Sequence, residues 1–384
     1  MRGHLLATAA FLALGLPAAA TAQEATSEPA PADIVITGQR AQLERSIDLK
    51  RRALGVVDVA ASDEIGQLPD RNVAEVVERL PGVGVQYDQG EGRYVAVRGV
   101  PAELNQYTIN GFEVGNPDGS TRRLPLDVIS GQLLNRVEVF KLKTPDQDGQ
   151  GIGGLVNLVP QTAFDFRQPL IAQATAQVGL QEIDDRNPFR GDVSVGGRFG
   201  DVGLLVGLSY SDRTFNSYGA YPDDWAPLNG AARGAMPINI KFTEYKLRRE
   251  RLGATGSLDW RPGTDHQFWV RGIFSRFTED EYRQRYRLDF AADAAELVES
   301  GELVLAEGGA TGTSTATGLR QDLRLEYKEK SVFAGMVGGT SQLAGWTLDY
   351  GAARIHNEVI EPNRLWQFRN ASDIGPIDFD FSER

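Results

Sequence analysis

Several stretches of this chain place reactive residue types at a spacing that could do chemistry. Gly149-Gln150-Gly151-Ile152-Gly153-Gly154 has the G-x-G-x-x-G spacing of a loop that cradles a pyrophosphate between an incoming strand and an outgoing helix. Arg136 to Leu142 could supply the strand. Leu155-Val156-Asn157-Leu158-Val159-Pro160 is short, β-rich and ends in proline, so no helix N-terminus would face the phosphates. Glycines that let a loop lie close against another surface account for the run better. Asp146-Gln147-Asp148-Gly149 hints at a calcium loop, yet Asn157 stands where the bidentate glutamate belongs. Beyond Ala22 only His266 and His356 remain for a Ser-His-Asp or histidine-metal arrangement. The carboxylate pairs Asp184-Asp185 and Asp223-Asp224 fall in loop-like segments, where a solvated face is the default. The reading is therefore not an enzyme, with no cofactor and no metal.

What positions these residues begins with an export signal. Arg2, the apolar run Leu5 to Leu16 and the small-x-small pattern Ala20-Thr21-Ala22 make residues 1–22 a cleavable signal peptide. Pro17 interrupts the run short of the roughly 20 apolar residues that a spanning helix needs. No later segment reaches that length, so the exported chain is read as either soluble or a β-barrel. The absence of cysteine argues against a small disulfide-stapled fold. A net charge of −12 speaks against nucleic acid as a partner.

Residues 23–50 read as a flexible tether, poor in apolar residues at first. It carries one extended-prone patch, Asp33-Ile34-Val35-Ile36-Thr37-Gly38, which suggests a strand offered to another protein. Residues 51–166 read as a compact α+β unit. Ser62-Asp63-Glu64 looks like a helix start, and Asn72 could cap a helix from Val73 to Leu80, stopped by Pro81-Gly82. Val56 to Val59, Val83 to Tyr87, Tyr94 to Val97, Thr108 to Ile109 and Arg136 to Phe140 alternate as short strands. Residues 167–384 differ in texture. Val202 to Tyr210, Leu252 to Trp260, His266 to Phe274, Asp322 to Tyr327, Val332 to Val337 and Trp346 to Ala353 are longer alternating runs. Arg261-Pro262-Gly263-Thr264 is a tight turn between two of them, and Thr214 to Asn239 reads as a long polar loop. Short turns on one rim and long loops on the other are the build of an antiparallel transmembrane β-barrel; a soluble sandwich or solenoid is the alternative.

The order of these parts resembles the TonB-dependent outer-membrane receptors. Asp33 to Gly38 resembles the TonB box. Leu68-Pro69-Asp70 through Arg79-Leu80-Pro81-Gly82-Val83 resembles the opening of the plug, followed in order by Val97-Arg98-Gly99, Thr108-Ile109-Asn110-Gly111, Arg136-Val137-Glu138-Val139 and Gly151-Ile152-Gly153-Gly154-Leu155-Val156-Asn157. Lys141-Leu142-Lys143-Thr144-Pro145 departs from the usual Lys-Gly-Pro and resembles a proteobacterial subgroup often linked to carbohydrate uptake. The resemblance implies a plug domain inside the barrel, residence in the outer membrane, TonB of the inner-membrane energy-coupling complex as partner, and active transport of a scarce carbohydrate or ferric chelate. It implies that Asp33, Ile34, Val35, Ile36, Thr37 and Gly38 bind TonB. It places ligand contacts in plug loops, at Tyr87, Asp88, Arg93, Tyr94, Asn105, Gln106, Asn116, Asp118, Arg122 and Arg123. Arg98, Gly99, Asn110, Gly111, Glu138, Gly153 and Gly154 would hold the plug in shape, with Arg98 and Glu138 paired to each other or to barrel charges.

A barrel of this family has about 22 strands, whereas the residues after the plug hold roughly eight to ten. The chain is therefore read as an N-terminal portion of a longer receptor or a truncated gene product. Two other readings stand beside import: a surface receptor that senses ligand without admitting it, and a soluble periplasmic β-rich carbohydrate-binding protein.

Overall fold

A computed structural model describes residues 37–62, 72–119, 121–145, 147–181, 186–227, 235–370 and 372–382, with backbone alone for 37–42. The first part is an α/β body. Its elements are α1 (Thr37–Arg52), β1 (Val57–Ala61), α2 (Val73–Glu78), β2 (Val83–Asp88), β3 (Glu91–Val97), β4 (Gln106–Ile109), β5 (Phe112–Glu113), β6 (Leu134–Phe140) and β7 (Leu155–Pro160). Five strands form one sheet in the order β1-β6-β7-β4-β5, with β4 and β7 parallel, and β2-β3 form a separate hairpin. Asn72 caps α2 as its sequence predicts, its side-chain oxygen accepting from the Glu75 N–H at 3.0 Å. Val73, Ala74, Val76 and Val77 are all fully buried, so this short helix is held by packing rather than by propensity.

Helix α1 overturns part of the tether reading, because residues 37–50 are helical. Lys50, Arg51 and Arg52 complement its C-terminal dipole, and side chains tie it down. Arg45 donates to the Asn135 side-chain oxygen at 2.9 Å, the Ser46 hydroxyl accepts from the Ala61 N–H at 3.2 Å, and Lys50 meets Asp58 at 2.5 Å. Burial opposes the charge of Asp58, but Lys141 and Lys50 outweigh it and hold its carboxyl below the usual range. Of the hexapeptide, Asp33 to Ile36 lie outside the described residues; Thr37 and Gly38 open α1 instead of continuing an extended patch. The helix start at Ser62-Asp63-Glu64 also runs into residues outside the described set.

The second part is a large antiparallel sheet built from β8 (Leu170–Val178), β9 (Phe189–Phe199), β10 (Val202–Pro227), β11 (Ala235–Trp260) and β12 (His266–Asp289), then, after α3 (Ala294–Ser300), β13 (Leu303–Leu305) and β14 (Thr311–Ser314), from β15 (Gly318–Leu343), β16 (Trp346–Ile360) and β17 (Asn363–Arg369). Its order is β8-β9-β10-β11-β12-β15-β16, with β17 on the far part of β15. Among the described residues the sheet does not close on itself: β8 forms one edge, β16 and β17 the other. The expected loop from Thr214 to Asn239 is wrong. β10 and β11 stay in register from Val202↔Trp260 to Pro227↔Ala235, and the separate runs at Asp322 and Val332 are one strand, β15. Apolar alternation fades there because both faces turn polar; backbone pairing and cross-strand ion pairs such as Arg248–Asp212 at 2.8 Å continue the ladder.

The outward face of this wall has a band fit for lipid. Val202, Trp260 and Phe268 lie side by side, then Leu204, Leu258, Val270 and Val337, then, past a row rich in glycine, Leu208, Ala254, Phe274 and Phe333. Trp260 and Phe268 stack at the foot, with ring centroids 5.4 Å apart. Asp212, Glu250, Thr278 and Glu329 end the band. From Val202 to Tyr210 is roughly 27 Å of strand, the order of an outer-membrane lipid belt. The inward face receives the α/β body: Ile273, Phe277, Val332, Ala334 and Met336 share one buried cluster with Leu126, Val128, Ile129 and Val137.

A small cap stands beyond the strand ends. β13, β14 and β18 (Ile377–Asp380) form a three-stranded sheet, and Phe290, Phe379 and Phe381 pack on one another, with centroids 5.4 to 6.1 Å apart, beside Met236 and α3.

Candidate functional site

The densest chemistry lies where the α/β body meets the inner face of the wall. Gln89 and Gly90, at φ of 51° and 81°, turn the β2-β3 hairpin so that Asp88 and Glu91 face the strands. Glu91 is buried, and three wall guanidiniums reach it: Arg213 at 2.7 Å on one oxygen, Arg251 at 2.6 Å and Arg249 at 3.0 Å on the other. Burial works against its charge, yet Arg251, Arg249 and Arg213 outweigh that and hold its carboxyl far below the usual carboxylate range. Arg249 is itself only 1 % exposed and also donates to Glu279 and to the Gln89 side-chain oxygen, each at 2.5 Å.

The network continues on both sides. On the body, Arg93 meets Asp88 at 2.5 Å and lies 3.9 to 4.0 Å from Asp118 and Asp127. Arg123 and Arg93 stand over the Tyr94 ring at 4.4 and 5.2 Å. Asp118 reaches across to Lys330, another fully buried wall cation, at 2.8 Å. On the wall, Lys328 joins Glu279 and Glu326, and Arg324 joins Glu281 and Glu326. The body contributes four carboxylates (Asp88, Glu91, Asp118, Asp127) against Arg93, a balance of −3. The wall contributes six cations (Arg213, Arg249, Arg251, Arg324, Lys328, Lys330) against Glu279, Glu281 and Glu326, a balance of +3. The two surfaces are complementary in sign and together neutral.

Residues 50–155 match the family described as the TonB-dependent receptor plug domain. This chain carries a TonB-dependent receptor plug domain over those residues. Over 114 residues, 27 % of this chain and 14 % of the relative, the receptor is 32 % identical to the ferrichrome receptor FcuA of Yersinia enterocolitica. Among solved structures it resembles the unliganded ferric citrate transporter FecA (13 % identity, TM-score 0.39, 86 % of this chain and 60 % of that one). It also resembles the siderophore receptor PiuA of Acinetobacter baumannii (12 %, 0.33, 82 % and 55 %). The receptor chain thus spans about a seventh of that curated relative and little more than half of those structures. The α/β body is the plug.

The structure brings Asp88, Arg93, Tyr94, Asp118 and Arg123 of the expected ligand residues into one cluster at the plug–wall contact. Asn105 and Gln106 do not belong with them. Both are buried: Asn105 donates to the Val95 carbonyl at 2.8 Å, and the Gln106 side-chain oxygen accepts from Lys143 at 2.5 Å. Asn116 folds its own loop, donating to the Thr121 carbonyl at 3.0 Å and accepting from the Asp118 N–H at 2.9 Å. Arg122 pairs with Gln150, and Tyr87, half exposed, with Glu78.

The pairing expected for Arg98 and Glu138 is also corrected. Arg98, at φ of 56° beside Gly99 at 75°, donates to the carbonyls of Gly153 and Ile152 at 3.0 and 3.4 Å. Glu138 accepts from Arg136 at 2.6 Å and Asn157 at 2.8 Å, so among the described residues neither meets the other nor a wall charge. Asn110 does reach the wall, accepting from Arg271 at 2.9 Å, and the Gly111 N–H donates to the Asn157 side chain. A side chain at Gly151 would meet the Gln106 nitrogen at 2.6 Å, at Gly153 the Asn105 side chain, and at Gly154 the Phe140 carbonyl at 2.8 Å. The G-x-G-x-x-G run is thus a close-packing device leading into strand β7.

Sequence reasoning placed Glu91 in a candidate ligand loop, Tyr87 to Tyr94, but missed its ionic role, and missed Asp127 and every wall cation. A signal was present: charges recur at every second residue in Glu279, Glu281, Arg283, Arg285, Arg287 and in Arg320, Asp322, Arg324, Glu326, Lys328, Lys330. Period-two charge is the mark of a polar inward face.

Proposed function

We propose that the receptor imports a scarce small ligand, a carbohydrate or a ferric chelate, across the outer membrane, and that TonB pulling on Asp33 to Gly38 draws the plug aside. The observation that carries this reading is the ionic clasp on Glu91. Charged contacts of matched sign can be exchanged for others, whereas an apolar core has to be rebuilt after separation. The tether side fits as well. Force entering at Thr37 passes along α1 to the edge strand β1 through Ser46–Ala61 and Lys50–Asp58. Tyr87, Arg122 and Arg123 are offered as outer ligand contacts, since aromatic faces stack on sugar rings and guanidiniums suit chelate carboxylates. Val35→Pro removes a pairing donor and stiffens the offered strand, so energised uptake is expected to cease while surface binding persists. Uptake at the parent rate would reject the box and its role.

A further inference from the structure

Both faces of the wall turn polar just past the lipid-fit band, but farther along the strands the face turned away from the plug recovers rings. Two rows of residues form a belt between, in which Asp212, Glu250, Asp280 and Glu329 stand against Arg248 alone, a balance of −3. Past the belt, Tyr218, Phe242 and Tyr286 lie across three neighbouring strands, flanked by Tyr282, Trp366 and Phe368. Tyr218 is 62 % and Phe368 63 % exposed. Five strands by three rows make this tier roughly 24 Å by 20 Å. That is more than the scatter of single surface rings, yet short of the roughly 800 Å² per partner that a stable protein contact buries. A slender ligand fits it better than a second copy of the chain.

Relief and chemistry narrow the ligand further. Two shallow hollows of about 530 and 430 Å³ lie side by side, one over Tyr282 and Leu325, the other over Tyr218, Phe242 and Tyr286. Glu244 pairs with Lys246 at 3.5 Å, which leaves Arg364 as the remaining charge of the three rows. The Tyr282 and Tyr286 hydroxyls accept from Gln284 at 2.5 Å and Gln321 at 3.2 Å, so each O–H proton is left for a further acceptor. Flat rings set among amides and O–H donors suit the faces and hydroxyls of uncharged sugar rings. The acidic belt repels anionic lipid headgroups, which favours a chain arriving from solution.

We propose that this tier captures a neutral oligosaccharide from solution, laid across both hollows on the far side of the wall from the plug. The site does not rest on the import reading above.

The test is isothermal titration of maltohexaose and xylohexaose into the purified full-length chain in detergent, without TonB. At least one is expected to bind. Phe242→Ala and Tyr286→Ala should each weaken that binding about fivefold, as loss of a ring contact does. Both side chains face solvent, so neither change empties the core, and Leu204→Ala in the lipid-fit band should keep the parent affinity. No binding of either free hexasaccharide, or parent affinity in both Phe242→Ala and Tyr286→Ala, overturns the assignment. An equal loss at Leu204→Ala overturns it as well, by tracing the binding to the lipid-fit band. So does binding confined to digalactosyldiacylglycerol added to the micelles, which gives the face to a glycolipid. The titration involves no uptake, so a failure of import leaves its result untouched.

Discussion

The plug meets the wall in two unlike ways. Toward the short turns the contact is apolar and close: Leu133 packs into a gap kept open by Gly253 and Gly207, and Val128 and Ile129 join Ile273, Val332, Ala334 and Met336 in one core. Its polar content there is modest, as in the Ser275 hydroxyl donating to the Val128 carbonyl at 2.7 Å. Toward the hairpin tip the contact is ionic, centred on Glu91 and Arg249. Apolar fit is non-directional and indifferent to pH, while ion pairs depend on each partner being present and charged. One half of the interface sets where the plug sits; the other sets how it is held and what could replace it.

The largest expected effect breaks the ionic half. Glu91→Ala takes the carboxylate from Arg213 and Arg251 and leaves Arg249 with Glu279 alone, and should cost about 3–5 kcal/mol, seen as a lower urea midpoint for the plug. Gly253→Val attacks the apolar half. Its Cβ would stand 2.6 Å from Leu133 and 2.8 Å from the Ser209 hydroxyl, so overpacking should cost about 1–3 kcal/mol in the same assay. If the glycine variant proved the more damaging, fit rather than charge would dominate the seat. Asp118→Asn keeps a hydrogen bond to Lys330 but removes its counter-charge, for an expected loss of about 1 kcal/mol. The smallest effect is with pH. Glu91 is depressed on folding from an ordinary value of 4.5, so its contribution is complete above that value and fades as pH falls through the range beneath it. Parent and Glu91→Ala stabilities should therefore converge only on acidification; a constant gap would detach the clasp from Glu91.

Local structure was legible in the sequence where a residue acts on its neighbours. Asn72 announces α2, alternation from Val202 to Tyr210 announces β10, and Arg261-Pro262-Gly263-Thr264 announces a turn. The site was not, because its partners are distant in the chain: Glu91 finds arginines 122, 158 and 160 residues away. Asn105 and Gln106 were misread for the opposite reason. Polar residues in a loop look available for ligand, but these satisfy a backbone carbonyl and a lysine inside the plug. Strand ends were missed because above the lipid band both faces of the wall are polar, which erases the hydrophobic period while the ladder goes on. Helix α1 follows from contacts with Asn135, Ala61 and Asp58 that no window of its own sequence contains.

The cap of β13, β14 and β18 has a consequence for motion. It joins residues 303–314 to residues 377–380 through an antiparallel ladder and a triad of phenylalanines. Two excursions that would otherwise fluctuate independently become one stiff body.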